Sequence, residues 1–191
     1  MTRIFLASTS PRRKELLTQL GVEFDVLEID IDETPFRDEN PESYVQRMAL
    51  EKAKAGWELC KKQQSLVIAA DTSVIIDQQI LGKPSSQQDA EQMLKRLSGR
   101  SHQVMSSVAV MNQENQFVAL NVNTVRFCKL SDEQIEWYSN TREGSDKAGS
   151  YAVQGLAAQF IEHIEGSYSG IMGLPLYETA LLLKQAGYRY E

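Results

Sequence analysis

The sequence has few of the residues that build disulfide frameworks and zinc centres. Its 191 residues include two cysteines and two histidines. Cys60 and Cys128 lie far apart, so no Cys-x-x-Cys motif is present, and the pair fits a reducing cytosol. His102 and His163 have no metal-ligand spacing, so we expect them to be structural or surface residues. We therefore expect neither a zinc site nor a disulfide framework.

Long apolar runs and an excess of positive charge are missing too. No run approaches the roughly 18 apolar residues of a membrane span, and residues 1–8 are too short for the apolar part of a signal peptide. The net charge of -6 disfavours binding to nucleic acid. We expect a cytoplasmic protein without a membrane or nucleic-acid partner. A hydrophobic content of 42% suits a single domain over residues 1–191.

The apolar periodicity and the turn residues predict alternating strands and helices. Strands are expected over residues 3–8, 24–29, 66–70 with a continuation at 73–76, 101–111, 117–129 and 160–165. Helices are expected over residues 11–19, 41–62, 87–97, 131–140 and from 175 to about 187. This alternation predicts an α/β fold with flanking helices. Because polar turns at 77–79 and 112–116 form hairpins, the twisted sheet should be mixed.

The segment Ser10-Pro11-Arg12-Arg13 places positive charge at the positive end of a helix. Ser10 is a suitable N-cap, and Pro11 suits the first helical position. Arg12, Arg13 and Lys14 then fill the first turn, where acidic residues are normally favoured. A helix N-terminus with two guanidinium groups can bind phosphate oxygens, which would remove this conflict. The alternative is a strand-to-helix turn with solvated arginines.

A carboxylate interrupts the next apolar strand. The run from Val67 to Ala70 ends on Asp71, and Thr72 follows before the apolar residues resume. Burying an unpaired carboxylate costs several kcal/mol unless a cation or ligand pairs with it. Ligands of α/β folds gather where strands end, so Asp71 is a candidate for binding a divalent cation or activating water. The alternative is a turn or cap aspartate.

Three further charged residues could belong to the same site. Lys52 shares the inward stripe of the long helix, so it either snorkels outward or meets an anion. The other members of that stripe are Val45, Met48, Ala49, Gly56 and Leu59. Lys83 lies in a rigid turn after the hairpin, and Glu33 lies in the acidic loop 30–40. Each of these two is weak evidence when taken alone.

Residues 146–155, DKAGSYAVQG, combine glycine, charge and an amide. Gly149 and Gly155 permit a close approach of the backbone to a ligand. Gln154 offers one acceptor and two donors, which are the groups needed to read a nucleobase edge. The alternative is an ordinary irregular connection.

Six segments, in order along the chain, combine into a specific pattern. They are ASTSPRR at 7–13, ADT at 70–72, LGKP at 81–84, LSGRSHQV at 97–104, DKAGSYAVQG at 146–155 and GLPL at 173–176. Together they resemble the Maf family of nucleotide pyrophosphatases, from about residue 3 to residue 183. The resemblance implies one Maf-like domain with a mixed-sheet α/β fold similar to that of inosine triphosphate pyrophosphatases. It also implies two lobes around a cleft.

The resemblance implies hydrolysis of a nucleoside triphosphate to a monophosphate and pyrophosphate, with a divalent cation, Mg²⁺ or Mn²⁺, as cofactor. Asp71 matches the family's proposed proton acceptor. The other matching active-site positions are Ser8, Arg13, Glu33, Lys52 and Lys83. Glu33 and Asp71 are the expected metal ligands, and which of them acts as the base stays open. A homodimer is a further expectation at the level of the family.

Within the family, the subtype that acts on dTTP and UTP carries a distinctive trio, here Arg12, Thr72 and Gln154. The subtype for 7-methyl-GTP has Ser-Pro-Trp-Arg, Asp-Gln and Glu-Gly at the corresponding motifs, so this chain resembles the pyrimidine subtype. An amide such as Gln154 can accept from the N3–H of uracil or thymine and donate to a neighbouring carbonyl. Alternatives are a pyrophosphatase for methylated or otherwise modified nucleotides and a nucleotide-binding regulator of cell division.

Overall fold

The computed structural model describes residues 2–60 and 64–189. Its strands are β1 (Arg3–Leu6), β2 (Phe24–Val26), β3 (Ser65–Ile76), β4 (Gln79–Leu81), β5 (Ser101–Met111), β6 (Gln116–Phe127) and β7 (Ile161–Glu165). Its helices are α1 (Pro11–Gln19), α2 (Pro41–Cys60), α3 (Gln87–Leu97), α4 (Asp132–Thr141), α5 (Tyr168–Met172) and α6 (Leu176–Gln185). Two 3-10 turns, Ala148–Ser150 and Leu156–Phe160, precede β7.

The described strands form one mixed sheet in the order β2-β1-β3-β5-β6-β7. β1 pairs in parallel with β2 and β3, whereas β3, β5, β6 and β7 pair antiparallel. This confirms the predicted mixed sheet with flanking helices. Three predicted strands are shorter at their C-terminal ends, since β1 ends at Leu6, β2 at Val26 and β6 at Phe127. The last predicted residues of the long helix, 61 and 62, lie outside the described residues.

The edge of β3 changes partner along its length. β1 pairs with residues 65–68 of β3, and β4 pairs with residues 74–76. Along its other edge, β3 pairs with β5 without interruption from Val67 to Ile75. Between the two short partners, residues 69–73 of β3 therefore border a gap in the sheet, and this gap opens the cleft of the molecule.

Most helices cover one face of the sheet, and the core on that face is divided. Leu66, Ile68 and Ala70 of β3 pack with α1 and α6, whereas Val74 and Ile76 pack with α3 and α4. Thr72 lies between these two sets on the same face, because side chains alternate along a strand. The polar position separates two apolar clusters, and this division gives the expected two lobes around a cleft.

Helix α2 covers the other face and approaches the sheet closely at Gly56. A β-carbon placed on Gly56 would lie 2.7 Å from Ala7 Cβ and 2.9 Å from Val67 Cγ1. Val45, Met48 and Ala49 are fully buried against the sheet, as the apolar stripe predicts. The prediction that Leu59 belongs to that stripe is wrong. Leu59 lies in the last turn of the helix and is 62% exposed to solvent.

We expect Gly56→Ala to destabilise the protein although alanine is the better helix former. Helix propensity favours alanine by about 1 kcal/mol, but an extra carbon forced into a filled space costs typically about 1–3 kcal/mol. Chemical denaturation should show a lower free energy of unfolding for Gly56→Ala. Lys54→Ala, on the exposed face of α2, is the matched control and should change it little. A gain in stability at Gly56 would contradict the close approach of α2 to the sheet.

Candidate active site

The cleft at the gap in the sheet has a volume of about 660 Å³. The lining residues come from both lobes, from α2 and from the segment after α5. All nine candidate residues selected from the sequence line it, namely Ser8, Arg12, Arg13, Glu33, Lys52, Asp71, Thr72, Lys83 and Gln154. The fold therefore gathers in one place side chains that are up to 146 positions apart in the sequence, from Ser8 to Gln154.

Asp71 lies inside a strand and not at the end of one. The sequence interpretation, in which an apolar strand ends on this carboxylate, is wrong, because β3 continues to Ile76 and stays paired with β5. The gap beside residues 69–73 makes the carboxylate accessible instead. Asp71 faces α2 and its side chain is 10% exposed, so it requires a partner charge.

Lys52 supplies that partner. Its Nζ lies 2.7 Å from Asp71 Oδ1 and 2.7 Å from Glu33 Oε1, and its side chain is 9% exposed. The sequence left open whether Lys52 snorkels outward or meets an anion, and the structure shows that it meets anions. One buried cation bridges two carboxylates, which leaves the three groups with a formal charge of -1. An additional cation at this point would therefore be favoured electrostatically.

The loop that carries Glu33 is fastened to α2 by two side chains. The Tyr44 hydroxyl donates to the Glu33 carbonyl oxygen at 2.8 Å. Arg47 binds Glu39 through two hydrogen bonds of 2.7 and 2.6 Å and donates to the Thr34 carbonyl. Its guanidinium carbon also lies 3.8 Å from the centroid of the Phe36 ring. These contacts hold the loop where Glu33 reaches Lys52.

The surroundings of Glu33 keep it ionised. Burial alone would raise the pKa of Glu33, but the hydrogen bond and charge of Lys52, then Lys83 and Arg13, outweigh it and lower that pKa. The pKa of Tyr44 is raised to about 12, first by burial and then by the charges of Asp71 and Glu33. Tyr44 therefore remains a hydrogen-bond donor, and Glu33 remains an anion at neutral pH.

The cation-rich start of α1 forms the opposite wall of the cleft. Ser10 occupies the N-cap position as predicted, but its side chain makes no capping hydrogen bond. Ser8 is buried, and its Oγ accepts from the Ser10 backbone N–H at 3.2 Å. Arg13 Nε donates to the Gly173 carbonyl at 2.9 Å, so the guanidinium is anchored on one side. Burial lowers the pKa of Arg13, and the Asp71 carboxylate partly opposes this effect.

The remaining candidates, Arg12, Lys83 and Gln154, line the cleft from both lobes. Arg12 is half-buried and close enough to Asp146, across the cleft, to help lower the pKa of that carboxyl. Burial opposes this shift, and the adjacent Lys147 contributes more to it than Arg12 does. Lys83 and Gln154 are exposed on the second lobe, so both are accessible to a ligand. Positive groups from both lobes therefore face a common space.

The site offers a divalent cation two carboxylates, Asp71 and Glu33, both already in contact with Lys52. Within residues 2–60 and 64–189, no group of three or more His, Cys, Asp or Glu side chains is placed to hold a metal ion. Mg²⁺ commonly uses one or two carboxylates together with substrate phosphates, rather than a complete protein cage. Lys52 occupies one oxygen each of Asp71 and Glu33, so the second oxygens suit such a shared site.

Sequence reasoning missed several residues that shape the site. Ser106 is fully buried beside Thr72, and its Oγ lies 2.7 Å from Thr72 Oγ1. Gly173 begins the GLPL segment, but its role, the carbonyl that anchors Arg13, was not predicted. The pairing of strands and the packing of α5 create these contacts, so the local sequence does not show them. The spacing of Arg47 to Glu51, four residues on, is visible in the sequence, but the contact of Arg47 with Glu39 depends on the fold of the loop.

The two histidines take no part in the charged cluster. His102 is buried, and its Nε2 lies 2.8 Å from the Tyr151 hydroxyl, which confirms the expectation of a structural role. Burial lowers the pKa of His102 to about 4, so its ring is neutral at pH 7. His163 is exposed on β7, as a surface residue should be. Across the described residues, every helix falls short of the length and apolar character that crossing a membrane requires.

A solved structure shares the architecture. The Staphylococcus aureus Ham1 protein superimposes with a TM-score of 0.52 over 97% of this chain and 97% of its own, at 14% sequence identity. A likeness at this identity concerns the fold alone. It confirms the predicted fold class, an α/β fold with a mixed sheet and flanking helices.

Sequence comparisons give a more specific assignment. A Pseudoalteromonas atlantica protein named dTTP/UTP pyrophosphatase is 49% identical over 190 residues, which cover 98% of this chain and 99% of that protein. A Shewanella oneidensis protein with the same name is 50% identical over 190 residues, 96% of this chain and 98% of that protein. The family model described as Maf-like protein matches residues 3–186. The chain belongs to the Maf-like protein family.

Proposed function

We propose that the protein is a nucleoside triphosphate pyrophosphatase that hydrolyses dTTP and UTP to the monophosphate and pyrophosphate. The observation that carries this proposal is the buried contact of Lys52 with both Asp71 and Glu33 at one side of a cleft whose other walls carry arginine and lysine. Carboxylates and cations in this arrangement suit an anhydride bond between phosphates. The names of the relatives support the choice of pyrimidine substrates.

The wall formed by α1 suits the phosphate chain. Unpaired backbone N–H groups at the start of a helix attract anions, and Arg12 and Arg13 add guanidinium groups there. Arg13 is already anchored through Nε, so less side-chain freedom is lost when its remaining N–H groups meet phosphate oxygens. This answers the electrostatic conflict of the first turn, because the ligand supplies the missing negative charge.

We assign different roles to the two carboxylates. Glu33 is half-exposed and its pKa is lowered, so it is a poor proton acceptor and a good ligand for a cation. Asp71 lies deeper and is the proposed acceptor for the proton of the attacking water. Lys52 fixes the position of both carboxylates, and Lys83 lies in reach of the departing pyrophosphate. Attack at the α-phosphorus then breaks its bond to the oxygen that leaves with the β-phosphate.

A divalent cation, Mg²⁺ or Mn²⁺, is part of the proposal, with Glu33 and Asp71 as its protein ligands. Their free oxygens and the net charge of -1 suit such an ion, as described above. When bound, the ion supplies positive charge to the phosphates and makes a coordinated water more acidic.

The reaction type can be tested by identifying the products. Purified protein incubated with dTTP or UTP and Mg²⁺ should release the monophosphate and pyrophosphate, and EDTA should stop the release until Mg²⁺ is returned. Anion-exchange chromatography separates these products from nucleoside diphosphate and orthophosphate. A diphosphate product would mean attack at the γ-phosphorus and would contradict the proposal.

Asp71→Asn should reduce turnover by about 10²-fold or more, the scale of a lost acid–base group. The amide keeps the shape but cannot accept the proton, and Lys52 keeps Glu33 as a partner, so the fold should survive. Steady-state kinetics with dTTP measures the effect, and thermal unfolding checks the fold. Asp77→Asn, at an exposed carboxylate just beyond the same strand, is the control and should retain native turnover. Near-native activity of Asp71→Asn would remove Asp71 from the mechanism.

Gln154→Glu should lower kcat/KM for dTTP and UTP and narrow their advantage over CTP. The change removes an amide donor and places an anion near a carbonyl of the base, which leaves the site's polar groups mismatched. Measurements with dTTP, UTP and CTP give the preference of each variant. Gln159→Glu makes the same change at an exposed amide in the adjoining 3-10 turn, Leu156–Phe160, and should leave the preference unchanged. If Gln154→Glu keeps the native preference, this amide does not read the base.

A further inference from the structure

A chain of hydrogen bonds leads from the cleft into the sheet at Thr72. Thr72 Oγ1 lies 2.7 Å from Ser106 Oγ, and the two residues are direct partners in the β3–β5 register. Ser106 Oγ in turn lies 2.6 Å from the carbonyl oxygen of Gly170 in α5. Ser106 is fully buried, so no solvent takes part at this position.

The geometry determines where each hydroxyl proton points. A carbonyl oxygen can only accept, so Ser106 must donate its single proton to Gly170. With that proton used, Ser106 can only accept from Thr72, and Thr72 must donate to it. The reverse assignment would leave two oxygens without a proton between them at 2.6 Å in a buried position, which is strongly unfavourable. The order of donation is therefore Thr72 to Ser106 to Gly170.

This order fixes the chemistry that Thr72 offers to a ligand. Its only proton points away from the cleft, so Thr72 Oγ1 presents lone pairs there. Access to this oxygen is preserved by Gly173, where a β-carbon would lie 3.5 Å from Thr72 Oγ1. Gly173 also has a φ of 119°, a backbone conformation that residues with a side chain rarely adopt. Both the space beside Thr72 and the backbone conformation therefore favour glycine at this position.

We infer that Ser106 is a positioning residue for base choice, because it holds Thr72 as an obligate hydrogen-bond acceptor toward the base. The inference rests on the proposed function and deepens it. Uracil and thymine present an N3–H donor to such an acceptor, whereas cytosine presents a lone pair at N3. With Thr72 meeting N3–H, the amide of Gln154 is left to donate to a neighbouring carbonyl of the base.

Binding measurements test this inference without relying on turnover. The probes are the non-hydrolysable α,β-methylene analogues of UTP and CTP, with Kd values measured by calorimetry. Native protein should prefer the uridine analogue. In Ser106→Ala the Thr72 proton is released and can turn toward the cleft, so the cytidine analogue should bind more tightly and the preference should fall about tenfold. A merely structural role of Ser106 would weaken both analogues together.

Ser107→Ala is the matched control. Ser107 is equally buried on the same strand, but it lies on the opposite face and donates to the Ala119 carbonyl. Its removal should leave the preference unchanged. Ser106→Thr keeps a hydroxyl at the same place and should retain the native preference if it folds.

A second variant covers the case in which Ser106→Ala fails to fold. Thr72→Val keeps the branched shape and removes the acceptor, so it should weaken the uridine analogue and affect the cytidine analogue little. The inference is overturned if native protein binds both analogues equally, or if a folded Ser106→Ala or Thr72→Val keeps the native preference. Absence of turnover with dTTP and UTP, by contrast, would contradict the proposed function. The Kd values of the two analogues would still decide the inference about Ser106, because they do not depend on turnover.

Discussion

The site depends on one interruption in the sheet, the stretch of β3 that neither β1 nor β4 pairs. β1 leaves β3 after Ile68, and β4 joins only at Val74. Because successive side chains of a strand point to opposite faces, the gap exposes Asp71 on the side of α2 and Thr72 on the other side. A ligand in the gap can therefore meet a carboxylate–lysine cluster and a neutral hydroxyl that are adjacent in sequence. The proposed division between phosphate chemistry and base recognition rests on this alternation.

The buried Lys52 depends on the same gap. Removing a cation and two anions from water is costly, and a buried ion pair rarely adds stability over an apolar replacement. The cluster is therefore no evidence of a gain in folding energy, which is in keeping with the role that we propose for it in the reaction. The close approach of α2 at Gly56, one turn beyond Lys52, limits how far the lysine can move from the sheet. The two hydrogen bonds from Arg47 to Glu39 hold the loop that carries Glu33, so they limit the movement of Glu33 away from Lys52.

Local patterns predicted some elements with their bounds and others only in part. Helix α3 and strand β5 match the expected residues, because caps and regular apolar periods mark them. The interpretation of Asp71 as a strand end was wrong. A charge inside an apolar run resembles the end of a strand, and the sequence does not show that β5 pairs with β3 on both sides of Asp71. The nine site residues were found by motif resemblance, whereas their mutual distances come from the topology. Lys52 shows the difference: its helical position was clear from the sequence, but its partners lie 19 positions away in Asp71 and 19 in Glu33.

Several residues outside the lining of the cleft hold the segments that form it. Helix α5 has five residues, too few to be stable without support. The Asn123 side chain accepts from the Ser167 backbone N–H at 2.6 Å, and the Ser167 hydroxyl accepts from the Gly170 N–H. Gly170 O then receives both the Ser106 hydroxyl and the Gly173 N–H, so its two lone pairs are used.

This network joins the two halves of the site. Gly173, held by Gly170, accepts from Arg13 Nε and so anchors the guanidinium that we propose for the phosphates. Ser106 donates to the same Gly170 carbonyl and orients Thr72, which we propose for the base. One carbonyl group therefore connects the proposed phosphate-binding group to the proposed base-reading group. The buried polar side chains Ser106 of β5 and Asn123 of β6 supply the hydrogen bonds that hold α5 and the segment before it, which apolar side chains at these positions could not do.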